Sequence, residues 1–128
     1  MSNIWMIRAG WILSGLYGLF MLGASVAPKV PTDMGQQTMA TLGWPEAPVL
    51  IIGTLELICT LLYLLPRTGL LGATLSMAIL GGAMVTQMRA GSPFFSHTGF
   101  SLYLGVILWA GLWLRDPMIR KVWPLRQS

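Results

Sequence analysis

Three stretches of this chain, Ala9 to Pro28, Thr68 to Met88 and Ala90 to Leu114, contain no charged residue, and a fourth, Ala47 to Pro66, contains only Glu56. Each can supply the roughly 20 residues that an α-helix needs to cross about 30 Å of hydrocarbon. No water serves the backbone there, so only helices and closed barrels span a bilayer. Barrel strands alternate in polarity over segments of about 10 residues, and these continuous runs rich in Leu, Met and Ala do not. Charged residues make up 9% of the chain, against about a quarter in soluble domains. The chain therefore reads as an integral membrane protein.

The expected fold is all-α: a single domain over residues 1–128, forming an integral membrane four-helix bundle with spans near 8–27, 47–65, 69–88 and 99–114. The first apolar run exceeds the 7–15-residue core of a secretory signal, and Ala24-Ser25-Val26-Ala27 matches a cleavage site only loosely, so it is expected to persist as a span. Four spans put both termini on one side. Arg8, Arg67, Arg115, Arg120, Lys121 and Arg126 lie on that side, six cations against two, Lys29 and Arg89, on the other. The bias predicts cytoplasmic termini. The net charge of +4 is then accounted for by retention at the inner face and by anionic membrane lipid. No aromatic–basic platform suggests nucleic acid.

Between the first two spans, Pro28 and Pro31 end a helix, Thr32 or Asp33 can cap a short new one running to about Leu42, and Gly43 with Trp44-Pro45 ends it. Met34, Met39 and Leu42 give that helix an apolar side suited to lying at the outer membrane surface. The alternative is a lid over a pocket between the spans. Leu65-Pro66-Arg67-Thr68-Gly69 reads as a tight turn, Arg89-Ala90-Gly91-Ser92-Pro93 as the end of the third span, and Phe94-Phe95-Ser96-His97 as an aromatic re-entry. Trp5, Trp11, Trp44, Trp113 and Trp123 fall near span ends, as an aromatic belt does. The tail Asp116–Ser128, with Met118, Ile119, Val122, Trp123 and Leu125 among its cations, is expected to lie along the headgroups.

Cys59 is the only cysteine, which excludes an internal disulfide, a CxxC pair and a thiolate metal cluster. It reads as a packed apolar residue. His97 is the only histidine, so one chain cannot build a multi-histidine haem or zinc site. No catalytic residue, metal site or electron carrier is evident, and autonomous catalysis is not expected.

Three helices each carry a small or polar stripe: Ser14, Gly18, Ser25 and Lys29; Gly53, Glu56 and Thr60; Gly72, Ser76, Ala83 and Gln87. Small residues at such spacing serve close helix packing, and Gly81-Gly82 reads as a close contact or a local kink. Packing does not explain Glu56. A carboxylate near the bilayer midplane costs roughly 2.5–3.5 kcal/mol by insertion scales, so it requires a partner, a proton or hydration. Lys29 at the interface stands about nine residues of helix rise away, more than one side chain spans, and a direct ion pair is not expected. The expected site is a hydrated funnel with Lys29, Gln87 and Arg89 at its mouth and Glu56, Thr60 and Tyr63 lower down.

The first span ending at Lys29, Leu42-Gly43-Trp44-Pro45, Leu55-Glu56-Leu57, Leu65-Pro66-Arg67-Thr68, and Gly72-Ala73 followed by Gly82-Ala83 together resemble the DoxX-like family of small four-helix bacterial membrane proteins. The order and spacing of these landmarks carry the likeness. The resemblance implies a bacterial cytoplasmic (inner) membrane protein whose family glutamate and lysine match Glu56 and Lys29. Many relatives have a histidine where this chain has Gln87, a departure that removes a titratable group. The family name comes from a subunit associated with thiosulfate:quinone oxidoreduction. Two readings follow. In one, a quinone or lipid-like ligand binds at Glu56; in the other, the protein is an accessory to a redox-enzyme partner or another membrane protein and Glu56 is structural. Transport would require a homo-oligomer, since four short spans do not make an alternating-access unit.

Overall fold

The computed structural model describes residues 2–29, 32–95 and 99–126. Pro31, the Ser96-His97 part of the aromatic re-entry and the last two residues of the tail lie outside them. The described residues form helices and no strand. Helix α1 (Ser2–Phe20) continues through a wide π-helical turn, Met21–Val26, into a 3-10 turn, Ala27–Lys29. Then come α2 (Thr32–Thr41), α3 (Val49–Leu64), a 3-10 turn at Pro66–Thr68, α4 (Gly69–Arg89), α5 (Phe100–Arg115) and α6 (Pro117–Val122). Two segments, Ile4–Val26 and Pro66–Arg89, are long and apolar enough to cross a membrane, while Val49–Leu64 and Phe100–Arg115 are shorter apolar helices. Sixteen residues rise only about 24 Å.

The polarity of the packing is the reverse of that in a soluble protein. Leu16, Leu19, Ile51, Leu71, Val85 and Val106 point outward and are exposed, whereas Ser14, Glu56, Thr60, Ser76, Ser101 and Arg115 are buried. An apolar exterior that continues over several helices is stable only against a nonaqueous medium. Inside, α1 packs along α5, α3 along α4, α4 along α5, and the π-helical turn against α3. Their shared core includes Tyr17, Met21, Tyr63, Leu104, Leu108 and Leu112.

Glycines set how closely these helices approach. A Cβ on Gly72 would collide with the Tyr63 amide nitrogen, and one on Gly10 would lie 2.7 Å from the Gly111 carbonyl oxygen. Gly81 and Gly82 do something else. A Cβ on either meets nothing within 4 Å, so a close contact does not explain them. Gly43 ends the α2 segment with φ +87°, the left-handed conformation that favours glycine at a helix C-terminus.

At the end of the molecule where α5 stops, two arginines are drawn into the structure. Arg115 donates to the Tyr63 carbonyl oxygen, with its guanidinium 4.3 Å from the Trp11 ring centroid and 4.5 Å from that of Tyr63. Arg120 donates through Nε to the Trp113 carbonyl at 3.0 Å and through Nη2 to the Leu114 carbonyl at 2.8 Å, satisfying carbonyls that the last turn of a helix leaves free. Asp116 accepts from the Met118 amide at 3.0 Å to start α6. The tail is fastened by Trp123 stacked on Trp109, ring centroids 4.6 Å apart.

Candidate functional site

Glu56 is 4% exposed and sits between Gly53 and Thr60 on the buried face of α3. Opposite it, α1 has just widened into its π-helical turn. One extra residue in a turn shifts everything after it by about 100° around the axis, relative to an uninterrupted helix. Such insertions recur at functional sites. Here the turn presents Ser25 and Lys29 to the carboxylate.

The Ser25 hydroxyl donates to Glu56 Oε2, and Lys29 Nζ lies 2.9 Å from Oε1. The same ammonium donates to the Ser25 carbonyl at 2.9 Å and to Ser25 Oγ at 3.1 Å. All three donors of Lys29 are therefore engaged, while each carboxylate oxygen, with two lone-pair sites, still has one to offer. This ion pair corrects the expectation from axial rise. That estimate placed Lys29 at the end of a straight helix facing a full half-span. In the structure the lysine stem instead lies along α3 at Gly53, where a Cβ would stand 3.2 Å from Lys29 Cβ. From Gly53 the ammonium needs to reach only about one helical turn, roughly 5 Å.

A cavity of about 550 Å³ opens beside the pair. Met21, Ala24, Ile52, Leu55, Leu80, Ala83 and Leu104 form apolar walls, and Ser25, Lys29 and Glu56 form the polar edge. Gly35, Thr38, Met39 and Leu42 line it as well, so α2 roofs the cavity. This revises the picture of α2 as a surface anchor: Met39 and Leu42 face the cavity, and Met34 of the apolar side is exposed. Gln36 Nε2 donates to the Ala47 carbonyl at 2.7 Å and ties the roof to the entry of α3.

The other expected site residues are not brought into this wall. Thr60 is fully buried one turn below Glu56, and Tyr63 is buried below that. The Tyr63 hydroxyl donates to the Leu108 carbonyl at 2.5 Å and lies 3.1 Å from Ser14 Oγ, so it belongs to the joint of α1, α3 and α5. Gln87 is half-buried with its Oε1 lacking a protein partner, and Arg89 is exposed at the end of α4. From α4 it is Thr86, with Ala83 and Gly82, that faces the cavity. Ser25 is the residue that sequence reasoning did not place in the site. It was visible there, on the stripe that ends at Lys29, as a small residue suited to packing.

A second hollow of about 520 Å³ lies between Met77, Leu102, Trp109, Trp113 and Trp123, but no charged side chain lines it. The Glu56 cavity is the one of the two with apolar walls and a charged edge.

The sequence profile of the DoxX-like family matches residues 12–111, from the first apolar run to the penultimate turn of α5. No curated protein and no solved structure matches the chain.

Proposed function

This chain belongs to the DoxX-like family, and on that premise we propose that it is a four-span protein of the bacterial inner membrane, with cytoplasmic termini, that binds a quinone or lipid-like ligand beside Glu56. One observation carries this reading: a cavity of about 550 Å³ with apolar walls and a single charged edge. Its volume falls within the range of about 300–1,000 Å³ usual for small-molecule sites. Because Lys29 and Glu56 neutralise one another at 2.9 Å, the edge carries dipoles and no net charge. It suits a small head that hydrogen-bonds, on a hydrophobic body. A hydroxyl head would donate to the free lone pairs of Glu56; a carbonyl head would compete with Ser25 for one Lys29 donor.

The four-span arrangement is supported by α3 and α5, which are apolar, outwardly exposed and packed beside the two longer helices. Both are short enough that their flanking residues would sit at the interfaces or the bilayer would thin locally.

A second reading has its own support. Glu56 already holds a donor on each oxygen, as a purely structural ion pair would, and the protein would then act as an accessory to a membrane enzyme. Thermal unfolding of delipidated protein in detergent separates the two, with and without added quinone or native lipid extract. Ligand at about 100 times Kd stabilises by about 2.7 kcal/mol, a rise of about 10 °C for a chain this size. The rise is expected in wild type, reduced in Glu56→Gln and absent in Glu56→Leu. If no extract component raises the midpoint of any variant, the binding reading fails and the accessory role stands.

A further inference from the structure

Beneath the cavity, in the packed interior, three hydroxyls stand out by what they do not do. Hydroxyls on membrane helices ordinarily bond back to a carbonyl one turn earlier. This chain follows the habit repeatedly: Thr54 donates to the Leu50 carbonyl at 2.7 Å, Thr74 to Leu70 at 2.9 Å and Thr86 to Gly82 at 2.8 Å. Thr54 and Thr74 are exposed on the outer surface, and Thr86 lies at the cavity. Thr60, Ser76 and Tyr17 are 0%, 3% and 1% exposed, and none of their hydroxyls has a protein partner.

They also occupy one level of the molecule. Gly72 of α4 packs on the backbone of Tyr63 of α3, and the two helices run antiparallel through the Pro66–Thr68 turn. One turn further from that turn, Thr60 is level with Ser76, and another turn on, Glu56 is level with Leu80, with which it shares the cavity wall. From α1, the Tyr17 hydroxyl is turned toward that of Ser76 without closing a hydrogen bond to it. An orphaned buried hydroxyl bears the full penalty of losing its water. Three from three different helices at one level is the donor and acceptor set that an internal water uses, since such a water typically makes about three hydrogen bonds.

We propose that Tyr17, Thr60 and Ser76 form a binding site for one ordered water molecule, one helical turn below Glu56. The site extends the polar side of the interior past the cavity floor, toward the Ser14–Tyr63 hydroxyl pair. It does not depend on what occupies the cavity.

The protein supplies its own control. Tyr63 is as deeply buried as Tyr17, but its hydroxyl is saturated by Leu108 and Ser14. X-ray radiolysis of the full chain in detergent, in water enriched in heavy oxygen, generates hydroxyl radicals from bound water and marks the side chains beside it. Tyr17 is expected to take up label several-fold faster than Tyr63, and the paired substitution Thr60→Val with Ser76→Ala is expected to bring Tyr17 down to the Tyr63 rate. Equal protection of Tyr17 and Tyr63 in the unaltered protein overturns the proposal. So does Tyr17 labelling that the paired substitution leaves unchanged. The wild-type comparison decides the matter even if the paired variant fails to fold.

Discussion

Removing Lys29 should damage this protein more than removing Glu56, and removing both should damage it least. Lys29→Met leaves a carboxylate that is 4% exposed with the Ser25 hydroxyl as its remaining donor. Breaking a buried pair in this way costs about 3–5 kcal/mol. The Ser25 hydroxyl still offsets part of that cost, so the lower end applies, about 3 kcal/mol. Glu56→Leu leaves a different orphan. The Lys29 side chain is 20% exposed, keeps two acceptors on Ser25, and can turn its flexible stem toward the surface. Its loss should be nearer the lower end of what one hydrogen bond to a charged group is worth, about 1.5 kcal/mol. The double variant buries apolar bulk in place of both charges, an exchange that is often neutral or stabilising. At about 4 °C per kcal/mol for a chain this size, Lys29→Met should unfold about 12 °C early and Glu56→Leu about 6 °C early, with the double variant close to wild type. Thermal unfolding followed through the six tryptophans in delipidated samples measures all four corners of the cycle. If the double variant loses the sum of the two single losses, the residues do not act as a pair and the reasoning is refuted.

Two further expectations rest on separate features. Reporter fusions after Arg67 and after Ser128 should both give cytoplasmic signals, because six of the eight cations lie on that side; a periplasmic signal at either overturns the orientation. Gly72→Ala should cost about 1–3 kcal/mol through overpacking against the Tyr63 backbone, whereas Gly81→Ala, with nothing within 4 Å of its Cβ, should stabilise by about 0.5–1 kcal/mol. Melting temperatures of the two variants check both signs, and a neutral Gly72→Ala would contradict the close approach of α3 and α4.

Hydropathy made the helices legible, because the free energy of a long apolar run is decided residue by residue and needs no tertiary information. The α2 segment was equally readable, since Pro28, Gly43 and Trp44-Pro45 are local signals. The coupling of Lys29 to Glu56 was not. It runs through a π-helical turn at Met21–Val26, whose rotation and rise leave no trace in composition or spacing. It depends on Gly53 as a groove for the lysine stem. Gly53 and Ser25 were both visible as small residues, but a sequence does not say whether a small residue admits a backbone, a side chain or a ligand. Thr60 shares the stripe of Glu56 and Tyr63 lies a turn further along the same helix, which carries both into the expected funnel. A helix face runs past the cavity floor, and periodicity carries no information about where a floor lies.

The inward turn of Arg115 and Arg120 bears on the order of events in biogenesis. In the proposed orientation, both count among the positive charges that hold the inner face while the chain is being inserted, when the helices have yet to pack. Afterwards Arg115 is 6% exposed, held between Trp11 and Tyr63, and Arg120 is committed to the carbonyls of α5. The charge that steers the nascent chain is thus larger than the charge the finished protein shows to the bilayer. Arg8, Arg67, Lys121 and Arg126 are the ones that stay exposed. Substituting one of these four would alter how the mature protein meets anionic lipid, whereas Arg115 and Arg120 act first as topological signals and then as mortar between helices.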